Sequence, residues 1–177
     1  MTISLFSLAS CRNKATEADS AATEPMPWVV DKFDDIKVLR YEVPGFEKLP
    51  LQQKTLIYYL AQATKAGRDI LFDQNFKYNL TVRRTLEAIY NKYDGDRADK
   101  NFVAMEKYLK KVWFANGIHH HYSNDKFTPE FTREWFEQAV GKYVDPQIIP
   151  IEKSLLYDII FDPALYAKRL NQTDGVD

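Results

Sequence analysis

The chain is predicted to be mainly α-helical, with five to six helices and one short N-terminal strand, and three observations carry that expectation. Apolar residues recur at three- and four-residue steps in successive stretches between Pro50 and Phe161. Cap and turn signals punctuate those stretches at Asp94-Gly95, Asn116-Gly117, Thr128-Pro129 and Asp162-Pro163. A single stretch, Ile36 to Val43, has the β-branched and aromatic content of a strand, and Pro44-Gly45 ends it.

The first helix is expected over about Pro50 to Phe72, where Leu56, Leu60, Ala63, Gly67, Ile70 and Leu71 fall on one face. A second uses Val82, Leu86, Ile89 and Tyr93 and stops at Asp94-Gly95. The third uses Phe102, Met105, Leu109 and Val112 and runs to Asn116-Gly117, a pair suited to the left-handed residue that ends a helix. Thr128-Pro129 opens the fourth, with the hydroxyl as N-cap and proline at the first helical position. Its inward stripe is Phe131, Trp135, Ala139 and Val140, closed by Gly141. The fifth spans about Ile151 to Phe161, with Leu155, Leu156, Ile159 and Ile160 inward, and Asp162-Pro163 signals a short last helix through Leu170.

A chain of 177 residues, 45% hydrophobic and 28% charged, can bury one globular core. Its net charge of -1 lacks the basic excess that phosphate-backbone binding requires, so nucleic acid is not an expected partner. The densest basic pairs, Arg83-Arg84 and Lys110-Lys111, fall on what the helical pattern makes the solvent side. No stretch reaches the ~20 apolar residues of a membrane span. Most of the eleven Tyr and eleven Phe recur at helical spacing, which makes them core candidates.

Leu8-Ala9-Ser10-Cys11 resembles the bacterial lipobox, whose cysteine is acylated and becomes the mature N-terminus. The residues before it are shorter than a secretory signal and carry no basic segment. Residues 1–11 therefore read as a truncated lipoprotein signal, and residues 12–27, rich in Ala, Thr, Glu, Ser and Pro, as a flexible tether. Lipidation is expected at Cys11, which would place the protein in the bacterial cell envelope and bring it to a membrane only through that lipid. The alternative is a cytoplasmic chain with one incidental Cys. Residues 28–177 form the folded part, read as an incomplete domain. The strand at Ile36 to Val43 has no evident partner, and Asn171 to Asp177 reads as a loop between elements.

All three histidines lie together at His119, His120 and His121. That excludes the HExxH helix of zinc peptidases, and the single Cys lies outside the fold, so no Cys-His pair is available. Six glycines form no phosphate-binding loop. Consecutive imidazoles do not converge on one ion: on a strand only His119 and His121 share a face. With Asp125 or Glu130 as a third ligand these two would make a metal site; the other reading is an exposed or cleft-lining polar loop. Paired carboxylates for glycoside hydrolysis stay open, since separation in space is not legible in sequence.

Trp113 to Phe127 (WFANGIHHHYSNDKF) and Val30 to Tyr41 (VDKFDDIKVLRY) closely resemble the N-terminal part of the bacterial dipeptidyl peptidase III family, as do Gly67 to Asn75 (GRDILFDQN) and Ser154 to Asp162 (SLLYDIIFD). The resemblance extends over essentially everything after the tether. It implies the partial lower lobe of a two-lobed α+β metallopeptidase, one that releases dipeptides from the N-termini of oligopeptides. In that family zinc is held by the two histidines of HExxGH and a glutamate of EExxAE or EExxAD, and the Glu of the first motif is the general base. Neither motif is present, and no two glutamates are adjacent anywhere in the chain. The chain alone is thus expected to be inactive and to hold no metal, zinc being the cofactor of the full-length enzyme, with oligopeptide as substrate and the missing C-terminal lobe as partner.

The resemblance also implies that Phe114, Asn116, Gly117, His119, His120, His121 and Tyr122 lie near the cleft between lobes and shape its peptide subsites. The alternative for these residues is that Asn116-Gly117 only terminates a helix and the histidines are solvated. For the whole chain the rival reading is a stand-alone helical lipoprotein acting as a peptide- or protein-binding module.

Overall fold

The computed structural model describes residues 28–168; Cys11, the tether and the Asn171 to Asp177 segment lie outside the described residues. Mainly helical as expected, it has a two-stranded antiparallel sheet followed by six α-helices: β1 (Val29–Phe33), β2 (Ile36–Leu39), α1 (Leu51–Ala66), α2 (Arg68–Asn75), α3 (Asn79–Lys92), α4 (Lys100–Ala115), α5 (Arg133–Tyr143) and α6 (Lys153–Phe161). Single 3-10 turns occur at Phe46–Lys48 and Pro146–Ile148.

The strand expected to stand alone is paired. Phe33 faces Ile36 across a two-residue turn at Asp34-Asp35, and Asp34 takes the left-handed conformation (φ 53°) that such a turn needs. β1 is not evident from hydropathy because Asp31 and Lys32 interrupt its apolar residues. Asp31 is engaged elsewhere: the hairpin lies on α4, with Lys110 3.0 Å from Asp31 and both Lys107 and Lys111 paired to Asp34. Arg83 and Arg84 likewise converge on Asp69 of α2, at 2.7 and 2.9 Å. The pairs Arg83-Arg84 and Lys110-Lys111 are therefore tertiary fasteners rather than a purely solvated face. Helical periodicity reports distance from the core and is silent about a carboxylate arriving from another element.

The core sits between α3, α4, α5 and α6. Val82, Leu86 and Ile89 of α3 meet Phe102, Met105, Leu109 and Val112 of α4, while Phe136, Val140, Leu156, Ile159 and Ile160 close the other side, all of them buried. Stripes at helical spacing produce this packing, and α3 touches α2, α4 and α5. Asp99 caps α4 by accepting from the Asn101 and Phe102 amides, and Asn116 ends the helix at φ 54°.

Three elements differ from expectation. The first helix is divided at Gly67, and its apolar residues are not buried: Leu56, Ile57, Tyr58, Tyr59 and Leu60 are between 43% and 65% exposed. Five consecutive apolar residues cover the whole circumference of a helix, so the one-face pattern read from sequence was only part of a band apolar on all sides. Phe72 in α2 is the one side chain of this pair of helices that is buried.

α5 starts at Arg133 with Thr132, not Thr128, as its cap; the Thr132 hydroxyl accepts from the Trp135 amide. Phe131 just outside the helix packs on Phe136 in its first turn, with ring centroids 5.5 Å apart, and this hydrophobic staple fixes the start four residues later than Thr128-Pro129 suggests. Residues 128 to 132 form no helix, and the Phe127 amide donates to the Ile118 carbonyl.

The short last helix after Asp162-Pro163 does not form among the described residues. Lys126 donates to the carbonyls of Asp162 (2.5 Å) and Leu165 (2.8 Å), His119 bonds that of Tyr166, and Tyr166 itself is left-handed at φ 59°. Side chains take the acceptors that a helix would use.

α2, α3 and α4 are joined by one side chain. Asn79, fully buried at the start of α3, donates through Nδ2 to the Phe72 carbonyl (3.1 Å) and the Asn116 carbonyl (3.4 Å) and accepts from the Ile118 amide (3.1 Å) through Oδ1. Asn79→Ala should cost about 3 kcal/mol, because the buried Ile118 amide loses its partner and the Phe72 and Asn116 carbonyls each lose one of two. Tyr108, equally buried but with no bond to its hydroxyl among the described residues, provides the contrast. Tyr108→Phe should leave stability unchanged or raise it by up to ~1 kcal/mol. Urea unfolding of the two variants checks both; equal losses would contradict this account.

Candidate functional site

Residues Ile118 to Phe127 form a small antiparallel excursion after α4. His119 bridges to Lys126, the His120 amide donates to the Asp125 carbonyl at 2.7 Å, and Asn124 is left-handed at φ 64°. His119 lies in the bridge and the chain enters a turn at His121, so three consecutive imidazoles are sent to different surroundings.

His119 is buried. Its Nε2 lies 2.8 Å from the Tyr166 carbonyl, and since a carbonyl only accepts, Nε2 carries the proton. Nδ1 then holds a lone pair that is buried and without a partner among the described residues. Burial holds the imidazole pKa below its ordinary value; the Tyr166 bond opposes this, and the positive charges of Lys168 and Lys126 add to it. The ring meets Phe76 edge-on with centroids 5.5 Å apart.

His120 is half-buried and accepts through Nδ1 from the amides of Tyr122 (3.2 Å) and Ser123 (3.1 Å), which fixes its proton on Nε2. His121 is exposed, flanked by Phe114 and Tyr122 at centroid distances of 4.9 and 4.2 Å.

A cleft of about 250 Å³ opens between the end of α2, the start of α3 and this segment. Asn116, Gly117 and the three histidines line it, so five of the seven residues singled out in the sequence come together. Phe114 and Tyr122 are exposed beside His121 and do not line the cleft. Asn75, Asn79, Ala115, Asn124 and Lys168 complete the wall. Nothing in local sequence marks these: Asn75 and Asn79 are brought in by the turn between α2 and α3, and Lys168 by the chain that crosses behind His119. The Gly67 to Asn75 run includes Asn75 and the Trp113 to Phe127 run includes Ala115 and Asn124, while Asn79 and Lys168 fall in neither.

Gly117 is required by close approach. At φ 156° it would place a Cβ 2.2 Å from Asn79 Nδ2, so any side chain there displaces the asparagine that holds α2, α3 and α4.

The metal reading of His119 and His121 does not fit this geometry. One ring is buried with its Nε2 taken by Tyr166, the other is outside, Glu130 pairs with Lys107 at 2.7 Å, and Asp125 accepts from Ser123 at 2.6 Å. Among the described residues no three His, Cys, Asp or Glu side chains converge as ligands, so these residues do not fit zinc. No described helix is long and apolar enough to cross a membrane.

No family model matches the chain, and no curated protein matches it.

The His119 environment makes stability pH-dependent in a definite direction. The unfolded imidazole takes up a proton near pH ~6.5, whereas the folded one resists it to lower pH. Below about pH 6.5 the unfolded state binds more protons, so stability falls with falling pH until the lowered folded value is passed. Asp31, Asp34, Asp69 and Asp94, whose pKa values their Lys and Arg partners lower, act the same way only below the ordinary carboxylate value of 3.8. Wild type should therefore lose melting temperature between about pH 7 and pH 5.5. His119→Gln, which keeps an N–H for Tyr166, should flatten that slope, and equal slopes would show that His119 is not responsible.

Proposed function

We propose that the chain is the N-terminal part of the lower lobe of a dipeptidyl peptidase III-like zinc exopeptidase, and that its histidine segment forms one edge of the groove that receives oligopeptide. The observation that carries this reading is spatial. Of the four stretches that resemble the family, Trp113 to Phe127 is hydrogen-bonded to two of the other three and lines a depression together with the third. Arg68 donates to the Trp113 carbonyl at 3.0 Å and Asn75 to that of Asn116 at 3.2 Å; Lys126 donates to the Asp162 carbonyl; and Asp34, Asp35 and Ile36 share a depression with His120 and Asp125. Stretches scattered over more than a hundred residues of sequence are thus brought beside one another.

The exposed band of α1 supports the same reading. A helix apolar around its whole girth belongs inside a protein, and further polypeptide of the same enzyme would cover it. Zinc would be supplied with HExxGH and EExxAE or EExxAD by that further sequence, and water activation would take place there. The residues in hand contribute binding: amide and imidazole groups at the cleft, set on helix ends that hold them rigid.

The chain by itself, with or without added zinc, should release no dipeptide from an oligopeptide. Extending the reading frame past the codon for Asp177, directly or after one frameshift, should encode HExxGH, and finding no such motif would overturn the proposal. A dye that fluoresces on apolar surface should bind the isolated chain and lose most of its signal in Leu56→Glu/Leu60→Glu. Failure to bind would favour a stand-alone binding module over part of a larger enzyme.

A further inference from the structure

The joint around Asn79 places two demands on the chain that leaves α4. Residue 116 must be left-handed, at φ 54° and ψ 40°, a conformation that glycine and asparagine tolerate and most residues avoid. Residue 117 must lack a Cβ, which would stand 2.2 Å from Asn79 Nδ2. Asn-Gly meets both demands, and the pair occurs nowhere else in the sequence.

The same pair is chemically insecure. Asparagine amides are thermolabile, and a glycine that follows leaves its nitrogen unshielded, so that Gly117 N can attack Asn116 Cγ. In that step the N–Cγ bond forms, the Cγ–Nδ2 bond breaks, and Nδ2 leaves as ammonia with the proton of the Gly117 amide. Water then opens the cyclic imide. Addition at Cγ gives aspartate; addition at the main-chain carbonyl gives isoaspartate, whose backbone runs through Cβ and is longer by one methylene.

The native structure obstructs ring closure. The Gly117 nitrogen must eclipse Cβ about the Asn116 Cα–C bond, which requires a strongly negative ψ, and Asn116 is held at ψ 40°. Reaching the reactive geometry means rotating the peptide plane between residues 116 and 117, and three hydrogen bonds hold that plane. Its N–H donates to the Val112 carbonyl at 3.0 Å, and its carbonyl receives Asn75 at 3.2 Å and Asn79 at 3.4 Å. Beyond it, Ile118 is anchored by its side chain in the core and by its amide on Asn79 Oδ1.

We propose that Asn116 is a deamidation site that the Asn79 joint keeps closed, so that the amide is lost only while the joint is open. Isoaspartate at 116 displaces the carbonyl that receives Asn75 and Asn79, and the joint then cannot re-form as before. An opening that would otherwise reverse is thereby made permanent. The product also puts a carboxylate on the cleft wall, which Asn116 lines.

The full chain is kept in mildly alkaline buffer, folded or in urea above its unfolding transition, and conversion at each asparagine is followed by peptide mass spectrometry. Unfolded, Asn116 should convert ahead of every other asparagine; folded, it should convert at least ~100-fold more slowly. Asn79→Ala should raise the folded rate at least ~10-fold, and Tyr108→Phe, which removes no bond to this peptide plane, should leave it unchanged. Wild type in urea below its transition asks the same question without a variant. Deuterium exchange of the Gly117 amide and deamidation of Asn116 should rise there by the same factor. A folded chain that deamidates as fast as the unfolded one, or a deamidation rate that stays flat while Gly117 exchange rises, would overturn the proposal. So would an Asn79→Ala chain that is folded by circular dichroism and deamidates at the wild-type rate.

Discussion

Everything that gives this molecule a site depends on the Asn79 side chain. Its three hydrogen bonds tie the last turn of α2, the first of α3 and the exit from α4 to a single buried amide. An amide group suits this position because it offers two donors and an acceptor in one plane without a charge to bury. The backbone groups it serves lie at helix ends: the Phe72 carbonyl, which also accepts from the Phe76 amide, the Asn116 carbonyl, and the first amide beyond the left-handed turn. Gly117 has its identity for the same reason, since the amide occupies the volume where a Cβ would stand.

From that joint the rest of the cleft follows. Asn116 turns the chain, Ile118 goes into the core, and the next three residues pass from buried to exposed. Identical residues then meet three different environments: one imidazole buried and neutral, one half-buried with its acceptor satisfied by two amides, one exposed between aromatic rings. Sequence composition makes this segment look like a metal site, and a bridge followed at once by a turn makes it a wall. Lys126 and His119 extend the wall by capturing the carbonyls of residues 162, 165 and 166, which brings Lys168 across to Asn75.

How much of this was legible in the sequence differs by the kind of interaction. Helices α3, α4 and α6 were readable because a periodic stripe, an end signal and a core partner all agreed, and Asn116 is the left-handed cap that the Asn-Gly pair announces. The start of α5 was misplaced because two cap signals compete within five residues and the decisive contact, Phe131 on Phe136, is visible only once the ring has a place to go. β1 was missed because its charges are tertiary. Of the cleft, sequence located the histidine wall, but not the opposite side, since Asn75, Asn79 and Lys168 are ordinary polar residues until the fold aligns them. The inward face of the first helix was misread for a related reason. Periodicity can identify apolar residues, but it cannot say which body they will be buried against.

That last feature bears on the life of the chain in a cell. A nascent polypeptide emerges from the ribosome with its N-terminal part first, so α1 appears before any later sequence could cover it. Its Leu-Ile-Tyr-Tyr-Leu band is the kind of segment that general chaperones hold and that other unfolded chains stick to. The α3 to α6 core can close on its own contacts, but α1 is left waiting. For as long as that band stays uncovered, a well-packed core is tied to a segment of the kind that other chains adhere to.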